Sequence, residues 1–323
     1  MLPHRPPGVH IRTLTASCQA IMATSGKRIS VLTRVRRPAK NPGMTLIGVV
    51  GAGVMGVGVA QNLAEVGHQV ILVDQKDDIL NEALRRLAQN CRLAPMLRGE
   101  QVDVSAVMSA VKTSTALEDL GGTATVIENV TEDIAIKRDV YQRLDAICPE
   151  GTIFIANTSA IPITTLAAAT GRPGNVVGAH FMNPVPMKTA VELIPGVHTS
   201  EKTLERARAL LAEMGKRAIE VTDSCGFLSN RVLMLTINEA AFLVYEGVAS
   251  ASAVDDVFRS CFGHPMGPLE TADLIGIDTI LHSVRVLHSY FADSKYRPCP
   301  LLIQMTDAGL LGRKSGQGFH SYR

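Results

Sequence analysis

The sequence predicts an α/β fold: a doubly wound, mostly parallel sheet followed by an all-helical C-terminal domain. Two observations support this prediction. Short apolar runs typical of buried strands alternate with helical segments up to about residue 221. Residues 227–323 then show helical patterns and no convincing strand. We therefore expect a domain boundary near residue 224, with one domain over residues 44–223 and a second over residues 224–323.

The first structural unit spans residues 45–74 and has the order strand, glycine turn, helix, strand, acid. The apolar run 46–50 predicts a short buried strand. A second strand is predicted over 69–73, and it ends at Asp74. This order is typical of a βαβ unit whose strands are parallel.

The turn after the first strand matches the pattern G-x-G-x-x-G. Gly51 allows the tight turn, Gly53 lets the backbone approach a pyrophosphate, and Gly56 lets the helix pack close to the strand. The start of the helix offers free N–H groups and partial positive charge to phosphates. The predicted dinucleotide contacts in this turn are Gly51, Gly53, Val54, Met55 and Gly56.

Asp74 lies at the end of the second strand, about 20 residues beyond the turn. A carboxylate there can accept hydrogen bonds from both hydroxyls of an adenosine ribose and would repel a 2′-phosphate. The sequence therefore predicts NAD rather than NADP as the cofactor. The alternative is a generic βαβ turn that binds nothing.

Further elements follow in the same alternating order. Residues 78–98 and 134–147 have helical patterns. The predicted strands lie at 123–129, 152–157, 175–180, 189–193 and 218–221. Together with the first two strands they complete one sheet.

The first 43 residues differ from the rest of the chain. They contain eight Lys and Arg residues, no Asp or Glu, and no sustained periodicity. This composition fits a mitochondrial transit peptide. It also fits an unstructured leader or a start codon assigned too far upstream, because Met44 directly precedes the first strand. The bias toward Arg over Lys favours a bacterial, cytoplasmic protein with a dispensable leader.

Composition excludes several function classes. Residues 44–323 hold 24 basic and 30 acidic residues, so charge gives no case for nucleic-acid binding. No apolar run is long enough to span a membrane. Six cysteines are widely scattered, without a C-x-x-C pair or a Cys/His cluster of metal spacing, which predicts reduced thiols and no metal site.

Polar residues at the ends of the predicted strands are the candidates for catalysis, because ligands bind beyond the carboxyl ends of parallel strands. They are Glu128, Ser159, His180 and Asn183. His180 is the only histidine placed in this way, and imidazole is suited to taking a hydroxyl proton near neutral pH.

Glu192 lies twelve residues after His180, in the next predicted strand. If the two strands run close together, its carboxylate can hold the second ring N–H and favour the protonated imidazole. Ser159 and Asn230 can supply neutral hydrogen bonds to an alcohol or carbonyl oxygen. Each of the four residues alone also fits a structural role, such as a core histidine, a surface charge, a helix cap or a solvent-facing amide.

From Met44 to its end, the chain resembles the L-3-hydroxyacyl-CoA dehydrogenase family. The matching segments are GAGVMG (51–56), LVDQ (72–75), ENVTED (128–133), NTSAIPIT (157–164), GAHFMNPVP (178–186), VELI (191–194), GFLSNRVL (226–233), HPMGPLE (264–270) and GRKSGQGF (312–319). The resemblance implies NAD-dependent oxidation of a 3-hydroxyacyl thioester to the 3-oxoacyl (or semialdehyde) thioester. It also implies a homodimer formed by the helical domain.

The resemblance further implies roles for individual residues. His180 would be the base, paired with Glu192, while Ser159 and Asn230 would bind the reacting oxygen or the thioester. The implied NAD contacts are Asp74, Glu132, Lys137, Ser159 and Asn183.

Some positions depart from the family pattern. Cys225 stands where the family usually has Pro. Thr189 and Ala190 replace a Lys-Leu pair after the predicted strand that ends at His180. The segment 81–112 is shorter than in many members and lacks their lysine-rich run. These departures leave the carrier open between CoA and acyl carrier protein. They resemble the branch of this family that oxidises short hydroxyacyl groups on acyl carrier protein for polyketide extender units.

Two further alternatives are less consistent with the sequence. The 6-phosphogluconate-like hydroxyacid dehydrogenases use a catalytic Lys on the helical side, whereas this chain offers the pair His180 and Glu192. A non-catalytic NAD-binding or structural protein of the same fold, such as certain crystallins, would have no need of the complete catalytic set.

Overall fold

The computed structural model describes residues 45–322. The predictions for the leader, residues 1–43, lie outside this range. Within residues 45–322 no helix is both long and apolar enough to cross a membrane.

One eight-stranded sheet forms the centre of the first part of the chain. Its strands are β1 (Leu46–Val50), β2 (Gln69–Val73), β3 (Val111–Ser114), β4 (Thr125–Glu128), β5 (Ile153–Ala156), β6 (Val176–His180), β7 (Ala190–Pro195) and β8 (Arg217–Glu220). Their spatial order is β3-β2-β1-β4-β5-β6-β7-β8. The order reverses between β1 and β4, which is where ligands bind in Rossmann-type sheets.

All neighbouring strands are parallel except β6 and β7, which are antiparallel. The chain between His180 and Ala190 is too short for the crossover that a parallel neighbour needs, so β7 runs back beside β6. The predicted fold class, a mostly parallel doubly wound sheet with a helical C-terminal region, is confirmed. Predicted strand bounds agree with the observed ones to within two residues.

Strand β3 was not predicted from the sequence. It is a four-residue edge strand in which Lys112 and Thr113 are exposed. Its sequence is too polar to be recognised as a strand from hydrophobicity, because edge strands lack the continuous apolar run of buried parallel strands.

Helices cover both faces of the sheet. They are α1 (Val54–Glu65), α2 (Asp77–Arg98), α3 (Val104–Ala110), α4 (Ile134–Ile147), α5 (Ile163–Ala167) and α6 (Glu201–Glu213). One apolar cluster contains residues of α1, α2, α3 and α6, and a second contains residues of α4 and α5. The central strands are therefore buried on both faces, whereas the edge strands β3 and β8 meet solvent.

The rest of the chain is helical. Its helices are α7 (Ser229–Tyr245), α8 (Ala251–Ser260), α9 (Pro268–Ile275), α10 (Ile277–Phe291) and α11 (Pro300–Asp307). They enclose their own core, in which Ile237, Ile280 and Leu287 are fully buried. The C-terminal segment is fastened to this core by Asp273, whose carboxylate accepts hydrogen bonds from the backbone N–H groups of Phe319 and His320.

Candidate active site

The glycine turn lies between β1 and α1, at the reversal point of the sheet. Gly51 has a φ of 91°, and a Cβ there would lie 2.6 Å from the carbonyl oxygen of Asn129. A Cβ on Gly56 would lie 1.7 Å from the carbonyl oxygen of Gly51. Around Gly53, by contrast, a Cβ would meet no heavy atom within 4 Å. The turn is therefore tightly packed against backbone at Gly51 and Gly56, whereas the space around Gly53 is open, which fits the approach of a pyrophosphate.

The two residues after Gly53 have different surroundings. Val54 begins α1 and is half-exposed, so the start of the helix faces solvent. Met55 is partly buried and packs against the apolar core. Contact of Val54 and Met55 with NAD stays a prediction.

Asp74 lies beside the glycine turn at the end of β2. One of its carboxylate oxygens accepts a hydrogen bond from the Ala52 N–H at 2.7 Å, and the other accepts one from the Gln75 N–H at 2.7 Å. Each oxygen keeps a lone pair for a hydroxyl group. The turn and this carboxylate together fit the adenosine and pyrophosphate of NAD.

His180 is the last residue of β6, and Glu192 is its direct partner on β7. His180 Nδ1 lies 2.7 Å from Glu192 Oε2, and His180 Nε2 lies 3.1 Å from Ser159 Oγ. A carboxylate can only accept, so Nδ1 carries the hydrogen and Nε2 presents its lone pair to Ser159. The three side chains therefore form one hydrogen-bonded chain that ends at a hydroxyl group.

Glu192 is held from its other side by the start of α7. Its Oε1 accepts hydrogen bonds from the N–H groups of Leu228 and Ser229, and its Oε2 accepts one from Ser229 Oγ at 2.6 Å. Burial alone would raise the pKa of the Glu192 carboxyl, but the hydrogen bonds from His180 and Ser229 outweigh burial and lower the pKa to about 2. Glu192 is thus a fixed negative charge beside the imidazole.

Asn230 follows on the first turn of α7. Its side-chain N–H donates to the carbonyl oxygen of Ser159 at 3.2 Å. The structure therefore brings four predicted site residues, Ser159, His180, Glu192 and Asn230, into one cluster between the sheet and the helical part.

Glu132 holds the segment that carries Ser159. Its Oε1 accepts hydrogen bonds from the N–H groups of Ser159 and Ala160 and from Thr158 Oγ1. These contacts hold the segment 158–160 in place and so position the Ser159 hydroxyl beside His180. A direct contact of Glu132 with NAD stays a prediction.

Lys137 lies in the interior of the protein, although the resemblance implies a contact with NAD. Its side chain is fully buried, and its ammonium donates to both carboxylate oxygens of Glu128, at 2.7 and 3.0 Å, and to the carbonyl oxygen of Asn157. Burial raises the pKa of the Glu128 carboxyl, and Lys137 opposes that effect. The ion pair joins the ends of β4 and β5 to α4. Contact of Lys137 with NAD also stays a prediction.

Asn183 lines a cleft of about 220 Å³ that opens beside the glycine turn. The walls are α1, α2 and the segment after β6. They include Val54, Gly58, Arg86, Asn90, Arg98, Asn183 and Val185. The cleft has an apolar interior with two guanidinium groups on α2, so it suits a ligand that has both an apolar arm and anionic groups.

Two functional positions were missed by reasoning from sequence. Ser229 holds Glu192, and its position just before Asn230 in the matched segment GFLSNRVL was the available signal. Asn157 accepts a hydrogen bond from the N–H of Phe181, the residue after His180, and donates to Asn129. No sequence signal distinguishes it from the other strand-end residues.

Cys225, which stands where the family usually has Pro, is buried. Burial raises the pKa of its thiol to about 11, so the thiol is inert at neutral pH.

Comparison with known proteins agrees with this geometry. Residues 46–224 match the family model described as 3-hydroxyacyl-CoA dehydrogenase, NAD binding domain, and residues 226–322 match its C-terminal domain. A curated relative in Bacillus subtilis (strain 168), called a probable 3-hydroxybutyryl-CoA dehydrogenase, is 48% identical over 275 residues, which is 85% of this chain and 96% of the relative. The mitochondrial hydroxyacyl-coenzyme A dehydrogenase of Homo sapiens is 37% identical over 284 residues, 85% of this chain and 90% of the relative.

A solved structure shows the same architecture. The crystal structure of (S)-3-hydroxybutyryl-CoA dehydrogenase PaaH1 from Ralstonia eutropha has a TM-score of 0.82 and 41% identity, covering 87% of this chain and 99% of that one. The protein is therefore an NAD-dependent oxidoreductase with a Rossmann-type fold. It belongs to the 3-hydroxyacyl-CoA dehydrogenase family.

Proposed function

We propose that this enzyme oxidises a short 3-hydroxyacyl-CoA to the 3-oxoacyl-CoA, with 3-hydroxybutyryl-CoA as the reference substrate. The observation that carries the proposal is the hydrogen-bonded chain Ser159–His180–Glu192 at the ends of β5 and β6. It offers a base, a charge partner and a hydroxyl group in line. That arrangement suits removal of a proton from an alcohol.

NAD bound at the glycine turn supplies the hydride acceptor. His180 Nε2 takes the proton of the substrate hydroxyl as the C–H bond breaks, and Glu192 stabilises the imidazolium that forms. Ser159 Oγ lies 3.1 Å from Nε2, so a substrate oxygen bound beside both atoms can give its proton to Nε2 and accept a hydrogen bond from the serine hydroxyl. Asn230 keeps Ser159 in place through its bond to the Ser159 carbonyl oxygen.

The cleft between α1, α2 and the segment 183–188 supports a CoA carrier. It extends from Asn183 toward Arg86 and Arg98, and guanidinium groups recognise phosphates. Arg98 is largely buried and paired with Glu65, so Arg86 is the guanidinium that a phosphate can reach. Arg86 is half-exposed and so accessible to a nucleotide phosphate. The names of the three relatives described above each refer to a CoA thioester, which supports this carrier.

A carrier-protein substrate is the second candidate, because segment 81–112 holds a single lysine and Thr189 and Ala190 replace the usual Lys-Leu pair. The same proposal assigns NAD binding to residues 44–223 and dimerisation to residues 224–323.

The test follows NADH absorbance with 3-hydroxybutyryl-CoA and with the same acyl group on acyl carrier protein, at equal concentrations. We expect turnover with the CoA thioester and a lower kcat/KM with the protein thioester. His180→Gln is the control for background reduction. A higher kcat/KM with the carrier protein would reverse the choice of carrier, and no turnover with either would reject the function.

A further inference from the structure

The segment Asn183–Lys188 connects the catalytic strand β6 to β7 and forms one wall of the cleft. Its short 3₁₀ turn, Val185–Met187, faces α1 and α2. Segments of this kind tend to move, because few of their backbone groups belong to a helix or a sheet. How this wall is fixed therefore bears on the binding of substrate.

Lys216 provides an unusual attachment for the wall. It precedes β8 and is only 6% exposed. Its ammonium donates to the carbonyl oxygen of Val185 at 2.6 Å and to that of Lys188 at 2.6 Å. A buried ammonium is costly to leave unpaired, so these two carbonyls and the charge hold each other in place.

Two other contacts fasten the same wall from the opposite side. A Cβ on Gly58 would lie 3.1 Å from Val185 Cβ, so the wall packs directly on the backbone of α1. Arg98 pairs with Glu65 at 2.5 Å, and its second nitrogen makes a long contact of 3.5 Å with the carbonyl oxygen of Pro186. Of the hydrogen bonds made by a charged side chain to the wall itself, the two from Lys216 are shorter than the one from Arg98.

We propose that Lys216 is a positioning residue for the substrate, whose buried ammonium fixes the segment Asn183–Lys188 as the wall of the thioester cleft. This inference rests on the proposed function, because that function assigns the thioester to this cleft. Lys216 touches neither His180 nor Glu192 through any hydrogen bond of the described residues. It therefore acts on binding of the thioester rather than on the proton transfer.

The charge of Lys216 gives the proposal a pH signature. Burial, with the nearby positive charge of Arg98, lowers its pKa to about 8, and Glu65 partly opposes the effect. Above that pH the amine loses its charge and its bonds to the two carbonyls weaken. The wall should then hold the thioester less well at pH 9 than at pH 7.

The experiment compares wild type with Lys216→Met and a control, Lys112→Met, which removes an exposed lysine from the edge strand β3. We expect Lys216→Met to raise the thioester KM roughly tenfold, as loss of a charge-assisted hydrogen bond allows. The kcat should change much less, and the control should match wild type. In wild type the thioester KM should rise between pH 7 and pH 9, and in Lys216→Met it should be flat.

Hydrogen–deuterium exchange gives a readout that needs no activity. The amides of Met187 and Lys188, which donate to the carbonyl oxygens of Pro184 and Val185, should exchange faster in Lys216→Met than in wild type or Lys112→Met. Equal exchange, or a loss of kcat at unchanged KM, would overturn the inference. If Lys216→Met does not fold, a wild-type KM independent of pH from 7 to 9 would overturn it. If wild type fails to oxidise the thioester, the proposed function fails, while the exchange experiment still decides whether Lys216 fixes this segment.

Discussion

His180 and Glu192 face each other across the antiparallel strands β6 and β7, with Nδ1 and Oε2 2.7 Å apart. Their contact is set by the register of the sheet, not by a loop. The eleven residues between them contain one turn back, which brings the end of β6 opposite the third residue of β7.

The pair should behave as one unit in catalysis. His180→Gln should lower kcat by roughly 10²- to 10⁴-fold, the usual contribution of a positioned general base. Glu192→Gln should also lower kcat, because the imidazolium loses its charge partner. The loss of transition-state stabilisation in the double variant should be much smaller than the sum of the losses in the two single variants. Steady-state kinetics with saturating thioester measures this, and near-normal turnover in both single variants would reject the base assignment.

The lowered pKa of Glu192 predicts how stability depends on pH. Its value of about 2 lies below the ordinary 4.5, so the carboxylate stabilises the folded state above pH 4.5, and this contribution is lost as pH falls toward 2. The stability advantage of wild type over Glu192→Gln should therefore shrink by roughly 1 kcal/mol between pH 6 and pH 3.5. Urea unfolding at each pH measures it, with Glu205→Gln as an exposed control. A constant difference would contradict the prediction.

Asp74 should determine the choice of cofactor. Wild type should prefer NAD strongly over NADP, and Asp74→Ala should raise the KM for NAD roughly tenfold while losing discrimination against the 2′-phosphate. Asp77→Ala, at the exposed start of α2, is the matched control. Initial rates with both nucleotides measure the effect. A wild-type preference for NADP would show that Asp74 does not read the ribose.

Two glycines of the turn should respond differently to alanine. Gly56→Ala places a methyl group against the Gly51 carbonyl and should lower the melting temperature markedly, because backbone cannot yield there. Gly53→Ala meets open space, so the fold should be retained while NAD binding weakens as the methyl group obstructs the pyrophosphate. Thermal unfolding and NADH fluorescence titration separate the two effects. Equal loss of stability in both variants would contradict this account.

The helical part should form the interface of a homodimer. It exposes several large apolar side chains: Leu228, Val232, Val257, Phe262, Leu274 and Ile275. Sedimentation should give about twice the chain mass of 34.5 kDa. Val232→Arg should shift the protein toward monomer, whereas Val197→Arg, at a more exposed position on the sheet part, should not. A wild-type monomer at micromolar concentration would reject the dimer.

The fold could be predicted from sequence wherever burial determines composition. Strands β1, β2 and β5 are largely apolar because both faces of the sheet are covered, and the glycine turn is dictated by backbone contact. The short edge strand β3 has no such constraint, which is why its residues gave no pattern.

The candidate site was predictable to the extent that chemistry limits the residue types. His180 follows from its place at a strand end, and Glu192 follows from its position in the next predicted strand. The hydrogen bonds of Ser229 to Glu192 and of Lys216 to the cleft wall depend on contacts between elements far apart in sequence. Neither local periodicity nor composition contains that information.

The cross-strand placement of His180 and Glu192 also links activity to the integrity of the whole sheet. Separating the two side chains requires breaking the β6–β7 ladder, which is continuous with strands buried at the centre of the molecule. Fraying of surface helices leaves the pair intact. On heating, the proton-transfer apparatus should consequently persist until the cooperative melting of the core, with no milder transition in which the base is lost first.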